Sequence, residues 1–357
     1  MKPFVVYGAT GFTGRLVCAA LDADGQAFVA AGRDGDKLRA LASSLRGRPE
    51  TVKVGVDDPD GLRRLCERGS VVIDCAGPFA RLGRPVQDAA LAARVHFLDV
   101  TGEQAYMRET FARDAEAKAV GVALINAVGF DVIPTDAAAT LAAEAVGATD
   151  EIRIAFGSRG GRMTQGTARS MVESLHLGGL AYVDGEYRSE AVGQERWSVP
   201  FPEPMGLRTC ISIPWGDLAT APRSTGAHTV RTFMVATPTM ARMSGGINLV
   251  SKLFKMGWVR GLGERWVRSQ PEGPSDEERA RSSFAVHAEA KGKSGVKTVW
   301  VTGPGGYDLT AHSAVLCAKL AAAPGFAVFG APTPSQAFGA KALLDGLAPI
   351  GVRWGLH

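Results

Sequence analysis

Three glycines spaced by three, directly behind a short apolar run, constrain this chain more than any other feature. The run is Phe4-Val5-Val6-Tyr7, and the glycines fall in Gly8-Ala9-Thr10-Gly11-Phe12-Thr13-Gly14. A helical pattern, Arg15-Leu16-Val17-Cys18-Ala19-Ala20-Leu21, opens behind them. Gly8 allows a sharp turn off a strand end, where a side chain would forbid the dihedrals. Gly11 allows the backbone to approach a pyrophosphate, and Gly14 allows the helix to pack close to the strand. The helix start offers unpaired N–H groups and a positive dipole end to phosphates. In its strand–turn–helix context the spacing predicts a dinucleotide-binding loop formed by residues 8–14. A tight strand-to-helix turn in another kind of α/β protein is the alternative.

The next segments extend the pattern. Gln26 to Ala31 reads as a second strand ending at Gly32-Arg33. At that strand end an acid prefers the 2′-hydroxyl of NAD, whereas an arginine pairs with the 2′-phosphate of NADP. Arg33, with Lys37 one turn into the next helix, predicts NADP(H), although Asp34 and Asp36 stand nearby; a solvated loop charge is the other reading. Thr51 to Val56 is a β-branched strand, and Asp57-Asp58-Pro59 either caps a helix or lets Asp57 or Asp58 meet the adenine amino group. Ser70 to Ala76 is a strong strand ending in Gly77-Pro78-Phe79. There Ala76, Gly77, Pro78 and Phe79 are expected to face the nicotinamide ribose. His96 to Val100 is a fifth strand ending in Thr101-Gly102, a helix is expected over Ala105 to Val120, and Val122 to Asn126 is a sixth strand. Such alternation predicts an α/β fold, a Rossmann doubly wound parallel sheet over residues 1–130, with ligands at the carboxyl ends of the strands.

Past Asp136 the alternation lapses. Glu151 to Phe156 alternates with period two, as a half-buried strand does. Ser282 to Ala290 and Val296 to Val301 read as two more strands. A second α+β domain on a mixed sheet is therefore expected over 131–324, serving substrate and dimer contacts, with 325–357 returning to complete the first domain. Within 247–267 an apolar row, Val250, Phe254, Trp258, Leu262 and Trp266, runs beside Lys252, Lys255, Arg260 and Arg265. Such a basic amphipathic helix suits a membrane interface, an apolar substrate channel, a homodimer contact or its own domain's core.

Composition removes several classes. A net charge of +4 over 357 residues, with no basic tail, does not point to nucleic acid. No apolar run approaches the about 18 residues of a membrane span. The five cysteines are widely spaced, which suits free thiols in a reducing cytoplasm. The start runs straight into Phe4-Val5-Val6 with no leader pattern. The expected location is cytoplasmic, with contact at the membrane surface as the variant. The scattered histidines predict no metal site. No Gly-x-Ser-x-Gly or His-Glu-x-x-His occurs. None of the five tyrosines is followed four places on by Lys, which sets aside short-chain dehydrogenase chemistry.

The segments Gly8 to Gly14, Ala31-Gly32-Arg33, Cys75-Ala76-Gly77-Pro78-Phe79, Leu98-Asp99-Val100-Thr101-Gly102-Glu103 and Gly129 to Asp136 resemble the saccharopine dehydrogenase-like oxidoreductases. Gly305-Gly306-Tyr307 and Thr333-Pro334 are weaker matches. The branch most similar contains trans-acting enoyl reductases of lipid and polyketide assembly. One departure stands out: where the family often has an aromatic-glycine pair and an acid, this chain has Leu82-Gly83-Arg84. The resemblance implies an NADPH-dependent reductase acting on an apolar enoyl or imine substrate. In that chemistry the cofactor supplies hydride and the protein supplies a proton donor. Tyr307 and Asp131 are the main candidate catalytic residues, with Tyr182 and Tyr187 behind them. A carrier protein or membrane surface is the expected partner. The alternative is a non-catalytic NADP-binding regulator or scaffold.

Overall fold

In a sheet covered by helices on both faces, the strands read as near-continuous apolar runs. Val5, Val6, Val72, Ile73, Phe97 and Leu98 are each fully buried in this way. The structure is a computed structural model and describes residues 2–160, 162–168, 178–237, 239, 240, 266, 269 and 272–357. The chain divides into two compact units, Met1–Ile133 with Tyr307–Leu347, and Pro134–Gly306 with Ala348–His357.

The first unit runs β1 (Phe4–Tyr7), α1 (Phe12–Ala23), β2 (Phe28–Gly32), α2 (Gly35–Ser44), β3 (Glu50–Lys53) and α3 (Pro59–Cys66). It continues through β4 (Val71–Asp74), α4 (Phe79–Ala93), β5 (His96–Asp99), α5 (Gln104–Phe111), α6 (Asp114–Ala119) and β6 (Leu124–Ile125). The strand order is β3-β2-β1-β4-β5-β6, and every pairing is parallel. Order reverses between β1 and β4, the switch point where such sheets bind ligands. Helix α1 buries Gly14, Val17, Cys18 and Leu21, one stripe at helical spacing. On the other face Leu62, Leu65, Val86 and Ala90 of α3 and α4 close over Val5, Val72 and Phe97.

The single helix expected over 105–120 is two, α5 and α6. Arg113 lies at the break, 6% exposed. There it turns inward to donate to Gln87 Oε1 (3.1 Å), Asp88 Oδ1 (2.6 Å) and Glu116 Oε2 (2.8 Å). Those bonds account for the interruption. The helix Gly306–Ala321 packs within this unit: Ser313 Oγ donates to the Val128 carbonyl (2.7 Å), and Lys319 pairs with Asp24 (2.7 Å). Beyond it, Ala123 and Gly330 form a parallel bridge.

The second unit is built on a mixed sheet, nine-stranded among the described residues, whose main order is β10-β11-β12-β7-β13-β14-β15. These strands are β7 (Thr149–Arg159), β10 (Arg196–Pro200), β11 (Leu207–Ser212), β12 (Thr229–Val235), β13 (Ser283–Gly292), β14 (Gly295–Pro304) and β15 (Arg353–Leu356); β8 (Gly179–Val183) and β9 (Glu186–Glu190) branch from β12. The central β7 pairs parallel with β12 and antiparallel with β13. Its period-two pattern buries Ile152 and Ile154, while Arg153 on the opposite face sits about equally between the rings of Trp197 (5.0 Å) and Phe233 (4.9 Å) and pairs with Glu195 (2.8 Å). Residues 307–324, assigned by the sequence reading to the second domain, lie in the first unit; 348–357, assigned to the first, lie in the second. The row Val250–Phe254–Trp258–Leu262 lies outside the described residues, and Trp266 is exposed. Among the described residues no helix is long and apolar enough to cross a membrane.

Candidate functional site

The turn between β1 and α1 is built by its glycines. Gly8 has φ +74°, and a Cβ there would meet Ala76 N at 2.8 Å and Cys75 C at 2.9 Å on β4's exit. A Cβ on Gly14 would stand 2.9 Å from Ala9 Cα, against backbone. Gly11 differs: a Cβ there would meet only the Gly8 carbonyl, at 3.3 Å. Gly11 N donates to that carbonyl (3.0 Å), and Arg15 Nη1 donates to the Thr10 carbonyl (3.0 Å).

The helix starts then distinguish themselves. Asp34 caps α2 by accepting from Lys37 N (3.1 Å), and Asp58 caps α3 by accepting from Gly61 N (2.8 Å). Glu103 reaches α4 from beyond β5 and accepts from Phe79 N (3.0 Å) and Ala80 N (2.8 Å). At α1 the N-cap is Gly11, which offers no side-chain cap. Its first-turn amides, behind the glycine turn, are suited to a pyrophosphate.

The carboxyl end of β2 carries Arg33, exposed and with no ion pair or side-chain hydrogen bond among the described residues. The acids beside it are engaged elsewhere. Asp34 holds the α2 cap and Asp36 pairs with Arg39. Lys37 is exposed one turn into α2. Asp58, not Asp57, caps α3, so Asp57 is not needed for capping. A glycine turn and, beyond it, an arginine with no ion pair among the described residues suit a 2′-phosphorylated dinucleotide.

At the other end, two buried aspartates hold the turns after β4 and β5. Asp74 and Asp99 are register partners and fully buried. Asp74 Oδ1 accepts from Ala76 N (2.8 Å) and so fixes Ala76-Gly77-Pro78-Phe79. Asp99 accepts from Thr101 N (3.1 Å), Ala127 N (2.9 Å) and Asn126 Nδ2 (2.5 Å), fixing Thr101-Gly102. Burial pushes Asp99 up to about 7 and Asp74 well above the usual carboxylate range. Tyr106 donates toward Asp99 and accepts from Gln87 Nε2 (2.7 Å). The unusual Leu82-Gly83-Arg84 has a packing reason in part: a Cβ on Gly83 would meet Tyr106 Cε2 at 2.8 Å, while Arg84 pairs with Asp88 at the surface (3.0 Å).

Asp131 stands against Gly102, where an added Cβ would be 3.0 Å from its Cγ. The residue is half-buried, but its carboxyl is enclosed, and burial raises it to about 6. Tyr307, at the start of Gly306–Ala321, packs its ring edge-on against Phe12 of the glycine loop, centroids 5.2 Å apart. The two candidates therefore attach to different strand ends, Tyr307 at β1 and Asp131 at β5, with β4 between. Tyr187 donates to the Leu218 carbonyl (3.1 Å) and packs edge-on against Tyr182, both in the second unit. Sequence reasoning missed Glu103, Asp74, Asp99 and Gln87. The only prior trace of them was the presence of Glu103 and Asp99 inside a family-like segment.

Sheet order and glycine turn together have the form of a dinucleotide-binding domain. Residues 4–125 match the family model of the saccharopine dehydrogenase NADP binding domain. A relative from Mycobacterium tuberculosis, named as a candidate trans-acting enoyl reductase, is 34% identical over 183 residues, 48% of this chain and 43% of its own length. A trans-acting enoyl reductase of Mycobacterium leprae is 33% identical over 37% of this chain and 33% of its own. The chain thus spans less than half the length of these relatives. Apo saccharopine dehydrogenase (L-Glu forming) from Saccharomyces cerevisiae shares the fold over 100% of both chains, with TM-score 0.70 at 13% identity.

Proposed function

We propose that the protein is an NADPH-dependent reductase of an apolar unsaturated substrate, an enoyl group carried on an acyl chain, with an imine as the second substrate class. The carrying observation is the α1 start, which alone among α1 to α4 has no carboxylate over its amides, combined with Arg33, which has no ion pair among the described residues. The names of the mycobacterial relatives support the enoyl class. Bound NADPH supplies a hydride to the substrate.

The chain's own residues do the rest. Gly8 to Gly14 hold the pyrophosphate, with Ala9, Thr10, Phe12 and Thr13 shaping the loop; Arg33 and Lys37 hold the 2′-phosphate; Asp57 meets the adenine. Ala76 to Phe79 and Thr101-Gly102 orient the nicotinamide side, and the buried Asp74 and Asp99 stiffen both turns. Reduction of an enoyl group consumes one proton at the α-carbon. Asp131, raised by burial to about 6, is suited to hold that proton, and the Tyr307 hydroxyl to polarise the substrate carbonyl. An acyl substrate delivered by a carrier protein, and a homodimer, complete the proposal.

The test is purified protein with NADPH and either a 2-enoyl thioester or a cyclic imine, followed by loss of reduced-nicotinamide absorbance. Oxidation of NADPH with the thioester supports the reading. NADPH binding without turnover of either substrate favours a regulator or scaffold instead.

A further inference from the structure

The carboxyl ends of β2 and β3 meet beside Arg33. Gly32 and Lys53 are register partners, and Val54 N donates to the Gly32 carbonyl (2.9 Å), carrying the pairing one residue further. Neighbouring strands lie about 5 Å apart, so Lys53 stands next to the residue that precedes Arg33. Its aliphatic stem crosses the first residue of α2: a Cβ on Gly35 would lie 3.5 Å from Lys53 Cδ and 3.9 Å from Lys53 Cβ. Gly35 thus leaves the path of this side chain open toward the start of α2. Lys53 is exposed and, like Arg33, has no ion pair or side-chain hydrogen bond among the described residues. Thr10 also belongs to this corner, its Oγ1 4.0 Å from where a Gly32 Cβ would stand.

Two such cations on adjacent strand ends repel each other; of the nearby acids, Asp34 and Asp36 are already engaged and Asp57 makes no ion pair among the described residues. A dianion relieves both at once. A phosphate monoester carries about −1.5 to −2 at neutral pH, more than one guanidinium balances. Arginine supplies a planar fork for two oxygens, and lysine supplies a compact charge free to meet a third.

We propose that Lys53 is a second specificity-determining cation for the 2′-phosphate of the cofactor, delivered from β3 to act with Arg33. This rests on the reading of Arg33 as a 2′-phosphate ligand. Neither sequence spacing nor the glycine motif points to Lys53, because its place beside Arg33 exists only once β2 and β3 pair.

The experiment is calorimetric titration with adenosine 2′,5′-bisphosphate and with 5′-AMP, which share every feature except the 2′-phosphate and involve no turnover. Wild-type protein is expected to prefer the bisphosphate. Lys53→Met should weaken bisphosphate binding about two- to fivefold at low salt and leave 5′-AMP unchanged, while Lys53→Arg keeps most of the affinity. The loss should shrink as salt rises. An equal loss for both ligands, or no loss for either, overturns the assignment. A preference removed by Arg33→Ala but untouched by Lys53→Met overturns Lys53 alone. Wild-type protein without any preference overturns the Arg33 reading beneath it.

Discussion

Alanine at Gly11 and alanine at Gly14 should have opposite consequences, although the two glycines belong to one motif. At Gly14 the new methyl would lie 2.9 Å from Ala9 Cα and 3.0 Å from Ala9 C. Carbon atoms pack at about 3.5–4.0 Å, and both neighbours are main chain, so α1 must move off β1. Overpacking of this kind costs about 1–3 kcal/mol, and the better helix propensity of alanine returns up to about 1 kcal/mol. A net loss of roughly 1–2 kcal/mol should lower the melting temperature by about 2–8 °C. At Gly11, φ is −71°, ordinary for alanine, and among the described residues beyond its chain neighbours the new methyl would meet only the Gly8 carbonyl, at 3.3 Å. Stability should therefore change by no more than about 0.5 kcal/mol. The methyl instead occupies the approach of the pyrophosphate. Losing a charge-assisted contact of about 1.5–3 kcal/mol weakens NADPH and NADH alike, by roughly ten- to a hundredfold. Differential scanning calorimetry and fluorescence titration on the two variants separate the effects. Unchanged NADPH affinity in Gly11→Ala would mean that no pyrophosphate rests on this backbone. An unchanged melting temperature in Gly14→Ala would refute the packing argument.

Arg33→Ala should weaken NADPH about ten- to a hundredfold and leave NADH nearly unchanged; equal losses in competitive titration would remove the 2′-phosphate role. Asp131 has a folded value of about 6 against an ordinary 3.8, so the folded chain binds this proton more tightly. The stability it contributes is complete below about pH 4 and lost as pH rises through 6; Asp131→Asn should flatten that part of the pH–stability curve. If Asp131 is also the proton donor, kcat/KM for enoyl reduction falls above pH 6 in the wild type, and Asp131→Asn is both slow and flat there. Glu103→Ala uncaps α4 from across the sheet and should cost about 1–2 kcal/mol by denaturant unfolding; Glu103→Gln, which still accepts hydrogen bonds, should recover part of it.

The architecture of the first unit was open to a sequence reader because each repeat is local. An apolar strand, a turn residue and an amphipathic helix lie within about 25 residues, and the right-handed crossover then follows from chirality. The glycine turn, the α3 cap and Arg33 belong to this local layer. So does the half-buried strand around Ile152 and Ile154 in the second sheet, announced by its period-two pattern.

Other features needed the folded chain, because their partners are distant in sequence. Glu103 caps a helix that begins 24 residues earlier. Asp74 and Asp99 became a coupled pair only when β4 and β5 aligned in register. Arg113 interrupted a helix to reach Gln87 and Asp88. The helix Gly306–Ala321 joined the first unit, whereas Arg353–Leu356 joined β14 of the second. Local patterning selects strand or helix through short-range sterics and burial on one face. It carries no information about which strand will lie beside which. Those neighbours, and the charges they bring together at strand ends such as Gly32 and Lys53, are decided by the tertiary packing that buries the whole sheet at once.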